Sequence, residues 1–172
     1  MAKSIKASKL KVVKATKKHA IELAPNLKQA DLEEIAAASG RDCLDSAPTG
    51  LLIQSIAISK IAYSMIYQNK DGSKEVIALG GVAPHPTDPQ IGIPWAFTSD
   101  KVRTYPKNFM VKARQALNEF CAHFPTLTNY VYSQNTTAIR WLKELGFEVS
   151  QSGEKYSTKQ NGFLSFIGHG FR

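Results

Sequence analysis

Residues 126 to 147 constrain the fold of this 172-residue chain more than any other segment. Residues 129 to 132 are β-branched or aromatic except for Asn129, and they predict a strand. Asn135 or Thr136 can cap the helix that follows, and Gly146 can adopt the left-handed conformation that ends it. The apolar positions of this helix recur at helical spacing: Ala138, Trp141, Leu142 and Leu145. Residues 147 to 149 then begin another strand, so the segment predicts a strand, a short helix and a second strand.

The rest of the chain predicts a mixed order of elements. A strand at residues 10 to 15 precedes helices at residues 17 to 24 and 27 to 39, and a third helix capped by Asp45 or Ser46 that runs to about Ser59. Further strands are predicted at residues 61 to 67, 75 to 82, 91 to 98 and 163 to 167. A long helix from about Pro106 to Phe124 carries one apolar face. Gly92 and Pro94 within a strand indicate a bulge or the close approach of another backbone or a ligand.

Composition and charge indicate the domain organisation of the chain and its cellular setting. The chain predicts one domain over residues 10 to 172, preceded by a flexible, lysine-rich segment at residues 1 to 9. Seven lysines and no acid occupy residues 1 to 18, so the remainder of the chain is nearly neutral, and this end is a candidate for weak nucleic-acid contact. Cys43 and Cys121 are too few for a disulfide scaffold, show no metal-binding spacing and predict a reducing setting. No apolar run predicts a membrane span.

The order of elements resembles the GNAT superfamily of acyl-CoA-dependent N-acyltransferases, and residues 135 to 147 resemble its strand–Asn–helix–Gly–Phe segment. The resemblance implies an α/β (α+β) fold with a twisted, mostly antiparallel sheet of six to seven strands and helices on both faces. It also implies that the sheet opens between the strands at residues 91 to 98 and 129 to 132. Acetyl-CoA is the cofactor that it implies.

A second resemblance covers roughly residues 90 to 167. The residues WAFTSDKV at positions 95 to 102 and TLTNYVY at positions 126 to 132 are similar to the internal virion protein family of short-tailed phages. That family is GNAT-like and linked to virion assembly. The resemblance implies phage virion or host proteins as partners, and a location in the cytoplasm of an infected bacterium or in the virion.

The superfamily pattern implies which residues bind the cofactor. Cofactor binding is expected near the end of the strand and the loop after it, at Phe97, Thr98, Lys101, Arg103 and Asn135. The phosphate-binding loop of the superfamily contains glycine, whereas residues 100 to 107 contain none.

The superfamily's usual general acid is a tyrosine seven residues after the asparagine, and that position is Leu142 here. Tyr132, Ser133 and His85 are therefore the remaining catalytic candidates. No pair of carboxylates and no metal site stand out from the sequence.

Three hypotheses follow. The first is a GNAT-fold phage protein with a degenerate acyl-CoA site that acts in virion assembly or host interaction. The second is an active acetyl-CoA-dependent N-acetyltransferase that modifies a host protein or a small amine. The third is a nucleic-acid-binding protein that uses the lysines of residues 1 to 18.

Overall fold

The computed structural model describes residues 9–39, 47–151 and 162–171. Seven strands in these ranges form one sheet in the order β1-β2-β3-β4-β5-β7-β6. Their bounds are β1 (Leu10–Lys14), β2 (Ile61–Gln68), β3 (Lys74–Pro84), β4 (Ile91–Thr98), β5 (Thr126–Tyr132), β6 (Glu148–Val149) and β7 (Phe163–His169). Neighbouring strands are antiparallel except for the parallel pair β4 and β5. The predicted mixed and mostly antiparallel sheet is confirmed.

Five α-helices lie in the described ranges: α1 (Lys17–Leu23), α2 (Gln29–Ser39), α3 (Ala47–Ile58), α4 (Pro106–His123) and α5 (Thr136–Leu145). Most bounds agree with the prediction to within two residues, and β5 begins three residues early. Helix α2 begins two residues later than predicted, because Leu27 forms an antiparallel bridge with Ser99 and the Lys28 N–H bonds to the Thr98 carbonyl at 3.0 Å. The predicted caps at Asp45 or Ser46, Cys43 and most of the N-terminal segment lie outside the described residues.

The helices cover both faces of the sheet. On one side, called the α2 face, buried residues of α1, α2 and α3 pack on β3. These residues include Leu23, Ile35 and Leu52, and burial of each leucine or isoleucine contributes about 1.5–3 kcal/mol. On the other side, called the α5 face, α4 packs over β5 through Leu117 and Phe120, and partly buried residues of α5 pack against the same cluster. The predicted helices on both faces are therefore confirmed.

The sheet opens between β4 and β5, as the family resemblance implied. Only two residue pairs join these strands, Ile91 with Thr126 and Gly92 with Leu127, before the strands diverge. A Cβ atom on Gly92 would lie 2.8 Å from the Phe124 ring, so glycine is required where the end of α4 covers this junction. The close approach that Gly92 indicated is thus made by a side chain of this chain.

The segment that constrains the fold forms as predicted. The side chain of Asn135 accepts a hydrogen bond from the Ala138 N–H at 3.2 Å and caps α5. Gly146 ends the helix with φ of 105°, in the left-handed region that favours glycine. Within the described ranges, no helix is both long enough and apolar enough to cross a bilayer.

Candidate functional site

The gap between β4 and β5 leads into a cavity of about 360 Å³. Most of its wall is apolar, and it includes Phe97, Phe109, Trp141 and Leu142. The backbone of β4 also has an edge that faces the gap. The Pro94 carbonyl and the Thr98 N–H both point to the β5 side, because they bond to Asn129 (2.8 Å) and Asp31 (2.8 Å). Backbone groups of alternate residues point the same way, so the Ala96 N–H and C=O face the gap as well.

Helix α2 places a carboxylate at the end of β4. Asp31 Oδ2 accepts hydrogen bonds from the Thr98 N–H at 2.8 Å and from the Thr98 hydroxyl at 3.4 Å. Both side chains are buried, with Asp31 only 4% exposed. Burial raises the pKa of Asp31, and the charge of Lys28 partly opposes the rise.

A second carboxylate from the same helix binds the end of β5. Glu34 Oε1 accepts the Tyr132 N–H at 2.5 Å, and its Oε2 accepts a hydrogen bond from the Asn135 side chain at 3.3 Å. Burial raises the pKa of Glu34, and the negative charge of Asp31 raises it further against the opposing hydrogen bonds. Helix α2 therefore bridges the two diverging strands at the open end of the gap.

Lys28 joins the two faces at this end of the gap. It immediately precedes α2, and its ammonium lies 3.6 Å from Asp31 Oδ1. The same ammonium lies 4.3 Å from the centroid of the Trp141 ring, which belongs to α5. Since α2 and α5 cover opposite faces of the sheet, the Lys28 side chain reaches across the open end of the gap.

A group of cations lies at the start of α4. Here Tyr67 donates a hydrogen bond to the Tyr105 hydroxyl at 2.8 Å. This bond lowers the pKa of Tyr105, and the positive charges of Lys9, Lys70 and Lys101 lower it further. Three lysines from separate parts of the sequence thus gather beside the loop in which the superfamily pattern expects phosphate binding.

Three of the predicted cofactor residues meet at the gap: Phe97 and Thr98 line the cavity, and Asn135 lies buried beside Glu34. Lys101 lies in the short 3-10 turn that precedes α4, where its ammonium is 3.9 Å from Glu75 and 5.1 Å from the centroid of the Tyr67 ring. Arg103 does not line the cavity, and its exposed guanidinium pairs with Asp100 at 3.8 Å.

The catalytic candidates are not brought together. Tyr132 presents its backbone to Glu34, while its ring packs against Phe163 at a centroid distance of 5.4 Å. The Ser133 N–H bonds to the Gly162 carbonyl at 2.7 Å, between β5 and β7. His85 lies in the loop before β4, at the closed end of the gap, and its Nδ1 accepts the Asp88 N–H at 3.2 Å.

No pair of carboxylates stands out from the sequence, whereas the structure places Asp31 and Glu34 together at the gap. In the structure, Asp31 is buried and Glu34 is half-buried, on the side that faces the gap. The available signal was the spacing on α2: Asp31 lies four residues before the buried Ile35 and therefore on its face of the helix, and Glu34 lies three residues after Asp31, next to it on the helix surface. In the part of the chain that the structure describes, no cluster of His, Cys, Asp and Glu could hold a metal ion.

Comparisons with known proteins identify the architecture. No family model and no curated protein matches the chain. Among solved structures, a ribosomal-protein-S5-alanine acetyltransferase from Vibrio fischeri matches with a TM-score of 0.66 at 9% identity, over 98% of each chain. A GNAT-family acetyltransferase from Bacillus anthracis matches with a TM-score of 0.63 at 10% identity, over 95% of each chain.

A third structure, a GNAT-family acetyltransferase from Streptococcus pneumoniae, has a TM-score of 0.60 at 15% identity, and the match covers 93% of this chain and 98% of that chain. At identities this low, the structural matches establish the fold alone, and any chemistry has to be argued from the residues of this chain. The strand order, the opening between β4 and β5 and these matches agree, and the chain has a GNAT-like fold.

Proposed function

We propose that the gap between β4 and β5 binds the thioester end of an acyl-CoA and that the chain transfers the acyl group to an amine. The observation that carries this proposal is the opening itself: an apolar cavity of about 360 Å³ that ends at the buried carboxylate of Asp31 and the half-buried carboxylate of Glu34. Such a cavity suits an acyl group and its linear pantetheine arm, and the outward-facing backbone of Ala96 offers that arm hydrogen bonds. The neighbouring solved structures include acetyltransferases, which supports acetyl-CoA as the donor.

The charged end of an acyl-CoA has a matching surface. Lys9, Lys70 and Lys101 lie around Tyr105 at the start of α4, where helix geometry also favours anions. Residues 100 to 107 contain no glycine. Lysine side chains therefore bind the phosphates in this proposal, in place of the backbone N–H groups of a glycine-containing loop. In this proposal, the phosphates of the acyl-CoA bind to these three lysines by charge attraction.

The transfer step also has a proton acceptor. Acyl transfer to an amine requires a base for the amine, and the buried Asp31 carboxylate lies at the end of the cavity and is the base that we propose. Leu142 lies in the cavity wall where the superfamily pattern expects a tyrosine acid. The leaving thiolate is consequently protonated by solvent in this proposal, which a thiolate tolerates because it is a good leaving group.

Calorimetric titration with acetyl-CoA tests the donor site. We expect the double variant Lys70→Gln/Lys101→Gln to weaken binding of acetyl-CoA about tenfold, since each exposed ion pair contributes up to about 1 kcal/mol. Acetyl-pantetheine lacks the nucleotide phosphates, so its binding should not change in that variant. Arg140→Gln, an exposed residue of α5 that pairs with Glu144, is the matched control. Failure of both ligands to bind the unaltered chain would refute the proposal.

A second candidate is a non-catalytic role in virion assembly or host interaction. Leu142 and the glycine-free loop favour it, together with the resemblance of residues 90 to 167 to the phage internal virion family. This candidate predicts that acetyl-CoA does not bind and that the chain co-sediments with assembled phage particles. Binding of acetyl-CoA together with absence of the chain from such particles would refute it.

Nucleic-acid contact through the N-terminal lysines stays a prediction. Lys11, Lys14, Lys17 and Lys18 are exposed, and residues 1 to 8 lie outside the described ranges. It predicts DNA binding that weakens steeply with salt and is lost when residues 1 to 18 are deleted.

A further inference from the structure

The ammonium of Lys28 occupies a site with the chemistry of an amine-binding pocket. Lys28 is 3% exposed, although lysine is rarely buried. Its ammonium lies between the carboxylate of Asp31 at 3.6 Å and the face of the Trp141 ring at 4.3 Å. A carboxylate and an indole face are the two partners that a desolvated alkylammonium requires.

This ammonium lies at the gap and not on the surface. The Lys28 N–H is held by the Thr98 carbonyl at the end of β4, and the side chain lines the cavity together with Asp31 and Trp141. Any other amine that approached the end of the cavity from the α2 face would have to displace the Lys28 ammonium from both of its partners. The amine position is therefore already filled by the chain itself.

We propose that Lys28 is the acyl acceptor of this cleft, so that the chain acylates its own Lys28 Nζ. This inference rests on the proposed function, because the thioester must bind between β4 and β5. An acceptor that is already fixed beside the donor reacts within one molecule, which raises its effective concentration far above that of a free amine.

The step balances without a further reactant. Asp31 accepts one proton from the Lys28 ammonium, and the neutral amine attacks the thioester carbonyl carbon. The N–C bond forms, the C–S bond breaks and the thiolate leaves with the electron pair. The nitrogen loses its second proton to solvent, Asp31 passes the proton that it accepted to solvent, and the thiolate gains a proton from solvent. The products are an amide at Lys28 and free CoA, with net release of one proton.

The product has a consequence for the fold. An amide carries no charge, so acylation removes the ion pair with Asp31 and the cation–π contact with Trp141. The buried Asp31 carboxylate then keeps its Thr98 hydrogen bonds but loses its cation. We expect the acylated chain to unfold at a lower temperature than the unmodified chain.

The test is incubation of the full chain with acetyl-CoA, followed by intact mass measurement and peptide mapping. We expect one added acetyl group, located on Lys28, at a rate that does not depend on the concentration of the chain. The exposed Lys60 of the same molecule reports the background reaction of acetyl-CoA with surface amines, and Lys28 should react at least about tenfold faster. Lys28→Arg should abolish the added group, whereas Lys60→Arg should not. This comparison of two sites in the unaltered chain decides the question even if Lys28→Arg fails to fold.

The outcomes separate this inference from the proposed function. If acetyl-CoA binds and an added alkylamine is acetylated while Lys28 is modified no faster than Lys60, the self-acylation inference is overturned and the transferase proposal stands. If acetyl-CoA neither binds nor modifies any amine, the transferase proposal has failed and the inference fails with it. Asp31→Asn distinguishes a proton acceptor from a purely structural contact: it should slow acylation of Lys28 at saturating acetyl-CoA and leave acetyl-CoA binding unchanged.

Discussion

Asn135 makes two hydrogen bonds whose energies can be measured, and its side chain also interacts with Asp31. Its side-chain oxygen caps α5 by accepting the Ala138 N–H, and its side-chain nitrogen donates to Glu34 Oε2. The residue is 2% exposed, so water cannot readily replace either contact. Asn135→Ala removes both groups at once.

The magnitude follows from the two contacts. Loss of an N-cap side chain costs about 1 kcal/mol, and loss of the donor to the half-buried Glu34 carboxylate costs a further ~1–3 kcal/mol. We therefore expect Asn135→Ala to lower the free energy of unfolding by about 2–4 kcal/mol. Asn135→Ser keeps a good cap but is too short to reach Glu34, so it should recover only the cap contribution of about 1 kcal/mol.

Urea unfolding followed by tryptophan fluorescence measures this change, because Trp141 lies on the helix that Asn135 caps. A Glu34→Gln background provides the decisive comparison, since it removes the half-buried charge of Glu34. In that background, Asn135→Ala should cost little more than the cap. A loss below about 1 kcal/mol in the unaltered background, or an equal loss in both backgrounds, would refute the reasoning.

Two further predictions concern the site and the strand junction. Burial raises the pKa of Asp31 and Glu34 above their ordinary values of 3.8 and 4.5, so the folded chain retains protons that the unfolded chain releases. The contribution of these two groups to stability should therefore fall as pH rises from those ordinary values through the raised folded pKa values. In urea unfolding measured across this pH range, Glu34→Gln should lose less stability with rising pH than the unaltered chain. Gly92→Ala should destabilise by about 1–3 kcal/mol, because its Cβ would lie 2.6 Å from Val82 Cγ2. Gly50→Ala in α3, where a Cβ meets nothing within 4 Å, should instead stabilise by about 0.5–1 kcal/mol, and thermal melting of both variants checks the contrast.

The sequence determined the local elements of this protein. Hydrophobic periodicity placed α4, and the pattern of cap, apolar stripe and glycine placed α5 and its ends. The location of the opening in the sheet came from the family resemblance, and it is correct because the parallel pairing of β4 and β5 stops after Gly92. The two helices depend on residues near one another in the chain, and local physics is sufficient to specify them.

Only the tertiary structure decided which charged groups form the site. Lys28, Asp31 and Glu34 follow ordinary rules for the start of a surface helix, and their burial depends on β4, β5 and α5 lying against that helix. Contacts between Glu34 and Tyr132 span nearly one hundred positions, and no local pattern encodes them. The gathering of lysines around Tyr105 has the same origin, because their separation in sequence becomes proximity only when the sheet forms. The sequence by itself determined the helices and strands, and the packing of distant segments decided which polar groups are buried at the opening between β4 and β5.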